Sequence, residues 1–368
     1  MAIYFFVLLY WLLLFISENK HVTRSRLFFA VLPLFLIMGL KSVSVGVDTI
    51  SYYYRYIGAD DMMTVERAAS EFGYNMLGYF FHDILQVPFW VYFFVMSLFI
   101  CSILALFLKR YSEDIYLSLF IYMTIGLFTM SMSGLRQTIA IYICTIPVIW
   151  AKISNDRSDE TRKHKIMRLI LGVLLVFLAY TIHNSAIIFL PILFLFDLRL
   201  TRVQTIVIML FAVSSILFRD ILVDIMGNFV IERYEGVDLN QSYSKNVLTL
   251  LVPIVICLFC AFVSYPEHGE QRYSKALSLM FVFFALYVVF NNLSIKQNQI
   301  ARLGFYFMNS GIILLPYSIK KLRGSSRSIV TAVFIVLALF YFYMSTDGGT
   351  LGIDHYKFFW QEPAFFAN

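Results

Sequence analysis

Between Ile115 and Trp150 the chain runs through apolar residues with a single charge inside them, Arg136, in the segment Ser133, Gly134, Leu135, Arg136, Gln137. One helix needs only ~20 residues to cross a ~30 Å hydrocarbon layer, so a stretch of about twice that length has to cross, turn and return. The turn is expected at Met130 to Gly134. Glycine disfavours helix and Ser133 is a good cap, so the returning helix should begin there. Its unpaired N–H groups and positive dipole end would then lie beside the guanidinium. Such a place attracts anions, and an arginine at this depth is costly enough to imply a function.

Hydrophobic residues make up 60% of the 368 and charged ones 14%, which describes a single helical membrane domain over residues 1–368. The first apolar run, Met1 to Ile16, has no basic residues ahead of it and is followed by Glu18 to Arg26, so it reads as a retained helix. A net charge of +6 raises nucleic acid as a partner, but in a chain of this kind basic cytoplasmic loops explain it, and no nucleic acid is expected. Cys101, Cys144, Cys257 and Cys260 all sit in apolar runs. Burial is their expected role, and no metal site is expected.

The apolar runs suggest about twelve crossings: 2–16, 27–44, 89–108, 115–130, 135–151, 167–182, 186–196, 204–218, 247–265, 276–292, 300–318 and 329–345. With both termini outside, most of the 29 lysines and arginines fall in cytoplasmic connections, as the positive-inside rule favours. The stretch Ile166 to Phe196 tests that arrangement. Two broken or partly re-entrant helices keep Lys163, Lys165, Arg168, Arg199 and Arg202 on one side and leave His183 at the outer turn. Three outer segments are then long enough to build a site: loops 45–88 and 219–246, and the tail 345–368.

The first outer loop opens with Gly46, Val47, Asp48, Thr49, continues through Tyr52, Tyr53, Tyr54, Arg55, Tyr56, and later gives Glu71, Phe72, Gly73, Tyr74. Tyrosines near a membrane boundary commonly form an aromatic belt, yet with carboxylates they also suit a polar, ring-shaped ligand. Asp48 reads either as a helix or turn cap or as a catalytic or sugar-binding group. Glu71 opens an apolar stretch to Val87 that suits an interfacial amphipathic helix, where an N-terminal acid is ordinary. Arg302, and Arg233 before Tyr234, are snorkelling residues or partners of Arg136 in holding a diphosphate, whose oxygens match the guanidinium fork. His183 lies at a break between apolar runs, where it closes a turn or accepts a proton.

These residues resemble the EpsG family, a Wzy-like group of bacterial polysaccharide polymerases. The resemblance is carried by Gly46-Val47-Asp48-Thr49 with the tyrosines after it, Glu71-Phe72-Gly73-Tyr74, Ser133-Gly134-Leu135-Arg136-Gln137, His183-Asn184-Ser185-Ala186, and Arg302-Leu303-Gly304-Phe305-Tyr306. It implies an all-α polytopic fold resembling membrane-embedded GT-C-like glycosyltransferases. It also implies a glycosyltransferase of the bacterial plasma membrane that joins undecaprenyl-diphosphate-linked repeat units, donor and acceptor, into a surface glycan (O-antigen, capsule or exopolysaccharide). The reaction would occur on the outer face, without metal or other cofactor, and a chain-length regulator is a conceivable partner. On that reading Arg136, Arg302 and Gln137 bind the diphosphate, and His183 is the base, oriented or replaced by Asp48 or Glu71. Tyr52, Tyr53 and Tyr74 stack on sugars. A membrane O-acyltransferase acting on the glycan and a lipid-linked oligosaccharide flippase are the alternatives.

Overall fold

A computed structural model describes residues 1–17, 24–58, 71–155, 161–230, 247–267, 269–294, 298–346 and 352–363. Among these the chain is helical, with two isolated β-bridges. Five helices are long and apolar enough to cross a membrane: Phe89–Tyr111, Leu135–Ser154, Arg162–Ile182, Lys275–Leu293 and Gly324–Thr346. Their outward faces are apolar. On the last of them Ile329, Val333, Val336 and Phe340 recur at helical spacing and are all more than half exposed, a surface that belongs against lipid rather than water.

The twelve crossings are not confirmed. A sixth span exists only if Ile115–Thr124 and Leu127–Ser133, bent by 60°, count as one, and other apolar helices are shorter, among them Ala2–Ile16 and Arg202–Ser214. Hydropathy sees composition and not the breaks within a run. The run at 300–318 is two helices, Asn298–Met308 and Gly311–Lys321. The run at 115–130 breaks at Gly126, which takes the left-handed conformation at φ 103°. The expected cap also moves by one residue: Ser133 ends a helix, and the Gly134 carbonyl accepts the Thr138 N–H to open the next.

The chain divides into two compact units, Met1–Leu193 with Ala332–Asn368, and Phe194–Thr331. The first contains α1 (Ala2–Ile16), α2 (Arg24–Gly39), α3 (Thr49–Tyr56), α4 (Phe72–Tyr79), α5 (Phe89–Tyr111), α6 (Ile115–Thr124), α7 (Leu127–Ser133), α8 (Leu135–Asn155) and α9 (Arg162–Ile182). After α9 a 3-10 helix, Asn184–Leu195, begins directly. His183 is therefore the joint between two helical segments, as the broken-helix reading expects. In the second unit Thr201 and Gln204 form a capping box at Arg202–Ser214, and the Asn292 amide donates to Ala212 O and Ser215 Oγ. Cys257 and Cys260 are buried and free there. The expected outer loop 219–246 begins as a helix, Arg219–Val230, whereas Arg233 lies outside the described residues.

The C-terminal tail is built into the first unit. Phe359 N donates to Leu40 O, Ser42 N to Lys357 O and Gly46 N to Gly352 O, at 2.7–2.9 Å, while the Phe359 ring stacks on Trp90. The N-terminal ammonium donates to Asp354 O and Tyr4 Oη to Ile353 O, so the tail and the start of α1 meet. Beneath the turn that precedes α3, the buried Lys41 ammonium donates to Val45 O, Thr49 Oγ1 and Met132 O. Burial pushes its pKa down to about 7, against the pull of the Asp48 carboxylate. This lysine pins the turn to the C-terminal end of α7, where carbonyls lack helical partners.

Gly46 makes that approach feasible. Its φ is +94° and a Cβ there would run into the Met132 carbonyl oxygen, so the position combines a conformation and a closeness that no other residue tolerates. Gly46→Ala should lower stability by about 1–3 kcal/mol. Thermal unfolding of the detergent-solubilised protein, followed by intrinsic fluorescence, checks this.

Candidate active site

Glu71 stands at the N-terminus of α4, yet its side chain makes no capping hydrogen bond. Both carboxylate oxygens turn to cationic and imidazole partners instead. Oε1 lies 2.8 Å from His183 Nδ1; Oε2 is paired with Arg136 Nη1 and lies 3.6 Å from Arg55 Nη1. The carboxylate is thus shared by three elements: α3 through Arg55, the first turn of α8 through Arg136, and the joint after α9 through His183. Burial works against its charged form, but the His183 hydrogen bond and the charges of Arg136 and Arg55 outweigh it and hold the carboxyl below its ordinary value.

A carboxylate accepts only, so His183 Nδ1 must carry the proton. In the neutral ring Nε2 is then an acceptor. It is buried and has no hydrogen-bond partner among the described residues. A ring held in this way is chemically able to act as a base through Nε2, with the carboxylate at Nδ1 to balance the charge. Arg136 is the most accessible member: its side chain is 30% exposed against 10% for Glu71 and for His183. Arg136 is therefore the guanidinium of the cluster that is open enough to meet an anion.

Close packing brings these groups together. A Cβ at Gly73 would collide with Thr181 Oγ1, so the glycine lets α4 lie against the end of α9 and sets Glu71 beside His183, two residues beyond Thr181. Above the cluster, the Tyr52 and Tyr74 rings lie 5.9 Å apart, and the Arg136 guanidinium stands 5.4 Å and 5.8 Å from their centroids.

The other residues singled out in the sequence are distributed differently. Tyr53 packs edge-on against Phe89 and Tyr54 and is buried in that aromatic group. Asp48 is exposed at the start of α3 and makes no capping bond there; its charge acts on Lys41 and Tyr52. Gln137 is buried beside Arg136 in the first turn of α8. Arg302 is exposed on Asn298–Met308 in the second unit.

Arg55 and Lys41 received no role from the sequence. A signal for Arg55 was present: Tyr52, Arg55 and Tyr56 stand at i, i+3, i+4 spacing and share one face of α3. Lys41 carried no such signal, because its partners are two backbone carbonyls and a threonine hydroxyl.

A helical membrane protein with a carboxylate, an imidazole and guanidiniums gathered at the ends of its helices defines the class. The chain belongs to the EpsG family, whose profile matches residues 24–358. No curated protein and no solved structure matches it.

Glu71→Gln should lower stability by about 3 kcal/mol, because Arg136 and Arg55 would be left in a partly buried place without their counter-charge. The Glu71 pKa is depressed, so its contribution is fully present above the ordinary carboxylate value of 4.5 and is lost as pH falls through the lower folded value. Unfolding measured as a function of pH should accordingly show a shallower acid limb in Glu71→Gln than in wild type.

Proposed function

We propose that this protein polymerises undecaprenyl-diphosphate-linked oligosaccharide units into a surface polysaccharide on the outer face of the bacterial plasma membrane. The observation that carries the reading is the Glu71 carboxylate held between His183 Nδ1 and the Arg136 guanidinium. In the reaction, a hydroxyl oxygen of the acceptor unit bonds to the anomeric carbon of the donor chain. The bond from that carbon to the diphosphate oxygen breaks. His183 Nε2 takes the hydroxyl proton and Glu71 stabilises the imidazolium. Negative charge grows on the leaving diphosphate, where Arg136, with Gln137 beside it, stabilises it. Guanidiniums serve here in the place a metal ion takes in other transferases, so the step needs no cofactor.

Tyr52 and Tyr74 offer faces to sugar rings, Tyr53 supports them, and Asp48 acts at the loop entrance as an orienting group. The Arg136 guanidinium, held in place by Glu71 and partly open, favours this reading over acyl transfer, whose leaving group is not a diphosphate. It favours a fixed reacting centre over a flippase, which needs polar groups along a path through the bundle. Both termini are assigned to the outer side, and the donor and acceptor lipids reach the site from the bilayer.

The test is a gel of surface glycan from a strain lacking the gene and complemented with variants. Wild type should restore a ladder of chain lengths. Arg136→Lys keeps the charge but loses the planar fork, and polymerisation should fall on the order of 100-fold at normal protein level. His183→Ala should leave single-unit glycan. An unchanged ladder in the deletion strain would remove the polymerase reading, and wild-type chain lengths in Arg136→Lys would take Arg136 out of the mechanism.

A further inference from the structure

Beside the Glu71 cluster the first unit has a partly open cavity of about 430 Å³ that runs on from Tyr52 and Tyr74 to residues given no role above. Its walls come from α3 and α4, from the turn after α4 and from Tyr92 of α5. Tyr56, Tyr79 and Tyr92 join Tyr52 and Tyr74 around it, and Arg55, Asn75, His82 and Asp83 supply polar groups. Arg55, Tyr52 and Tyr74 are common to the cavity and the cluster, whereas Arg136 meets the two tyrosine rings without lining the cavity. The space therefore adjoins the reacting centre at the side of the aromatic pair and Arg55.

The turn that closes it is unusual. After Tyr79 the chain passes into a π-helical turn, Phe80–Ile84. The wider turn adds a residue and rotates the chain beyond it, a distortion found mostly where function requires it. Here it brings His82 edge-on to Tyr56, at 5.1 Å between ring centroids, and sets the Asp83 carboxylate 3.4 Å from the His82 ring nitrogen. Both groups are partly open to solvent. Aromatic faces, an amide, a carboxylate and an imidazole around a space of this size form a site for a hydroxyl-rich ring, and a volume in this range has room for on the order of two sugar rings. With both Asp83 and Arg55 in its lining, the cavity carries charges of both signs, which suits neutral sugars rather than a phosphate.

We propose that this cavity is a saccharide subsite, in which Asp83, His82 and Asn75 hydrogen-bond ring hydroxyls while Tyr79 and Tyr56 pack on ring faces. It holds sugars of the lipid-linked unit at a distance from the diphosphate. The proposal deepens the polymerase reading and rests on it for the source of the sugar, while saccharide binding itself can be measured without it. Arg55 is a positioning residue that joins the occupied cavity to Glu71.

Gly78 gives a way to fill the cavity without touching the cluster. It lines the space, and a Cβ there would meet nothing within 4 Å. Gly78→Trp should plug the subsite, and Gly78→Ala should not. The full chain in lipid nanodiscs is titrated with oligosaccharide released by mild acid from the glycan of the strain that carries it, and binding is read by calorimetry. Wild type and Gly78→Ala should bind alike, with Gly78→Trp and Asp83→Asn weakened at least tenfold. Asp83 is exposed, so its variant serves if Gly78→Trp does not fold. Equal binding by wild type and Asp83→Asn together with a folded Gly78→Trp would overturn the proposal, as would no binding to wild type.

A turnover assay with lipid-linked donor and acceptor then separates the sources. A raised KM for acceptor alone in Asp83→Asn assigns the cavity to the acceptor unit; a raised KM for donor alone assigns it to the growing chain. Failure of the polymerase reading would show separately, as an unchanged glycan ladder in the deletion strain.

Discussion

A buried carboxylate is unstable unless it is paired, and Glu71 is buried and paired on both oxygens. That requirement organises much of the first unit. The guanidinium of Arg136 comes from the start of a long apolar helix, the imidazole of His183 from the joint at the end of another, and Arg55 from a short helix between spans. Removing any one partner leaves charge or desolvation unbalanced, so three stretches far apart in sequence are energetically dependent on a single side chain. The same pairing fixes the imidazole tautomer and leaves Nε2 as the acceptor.

The pairing is reached through backbone approaches that only small residues permit. Gly73 lets α4 touch Thr181, and Gly46 lets the turn before α3 touch Met132. Lys41 reinforces the second contact from below by donating to acceptors in the turn, in α3 and in α7. The C-terminal tail adds backbone hydrogen bonds to the same turn. The loop that carries the tyrosines is therefore held on several sides, which suits a site that has to keep its geometry.

Much of this architecture was legible from composition and periodicity. Apolar runs located the long helices, because a span has to satisfy its backbone internally and cover itself in apolar side chains, but not Thr49–Tyr56 or Arg219–Val230, which lie in expected loops. They did not give the number of crossings, since the breaks at Gly126 and at Asn309–Ser310 lie inside runs whose average stays apolar. In the site, Arg136 and His183 stood out because polar groups inside apolar sequence are conspicuous. Arg55 and Lys41 did not, one hidden among exposed-looking loop residues and the other by partners that are mainly backbone. Glu71 was visible as a helix-start acid, a role its side chain does not take.

The sequence by itself determined that the chain is a bundle of apolar helices with an arginine at a helix start and a histidine at a helix break, because hydropathy and helix-ending residues act locally. Which of those groups meet was decided by tertiary packing. The closeness of Glu71 to His183 depends on a glycine against a threonine more than a hundred positions away in the chain, and on the angle at which α4 meets α9. The tyrosine cavity likewise depends on a single π-helical turn. Neither distance nor turn geometry is written in the pattern of residues along either segment alone, since each arises from the way the two fit together.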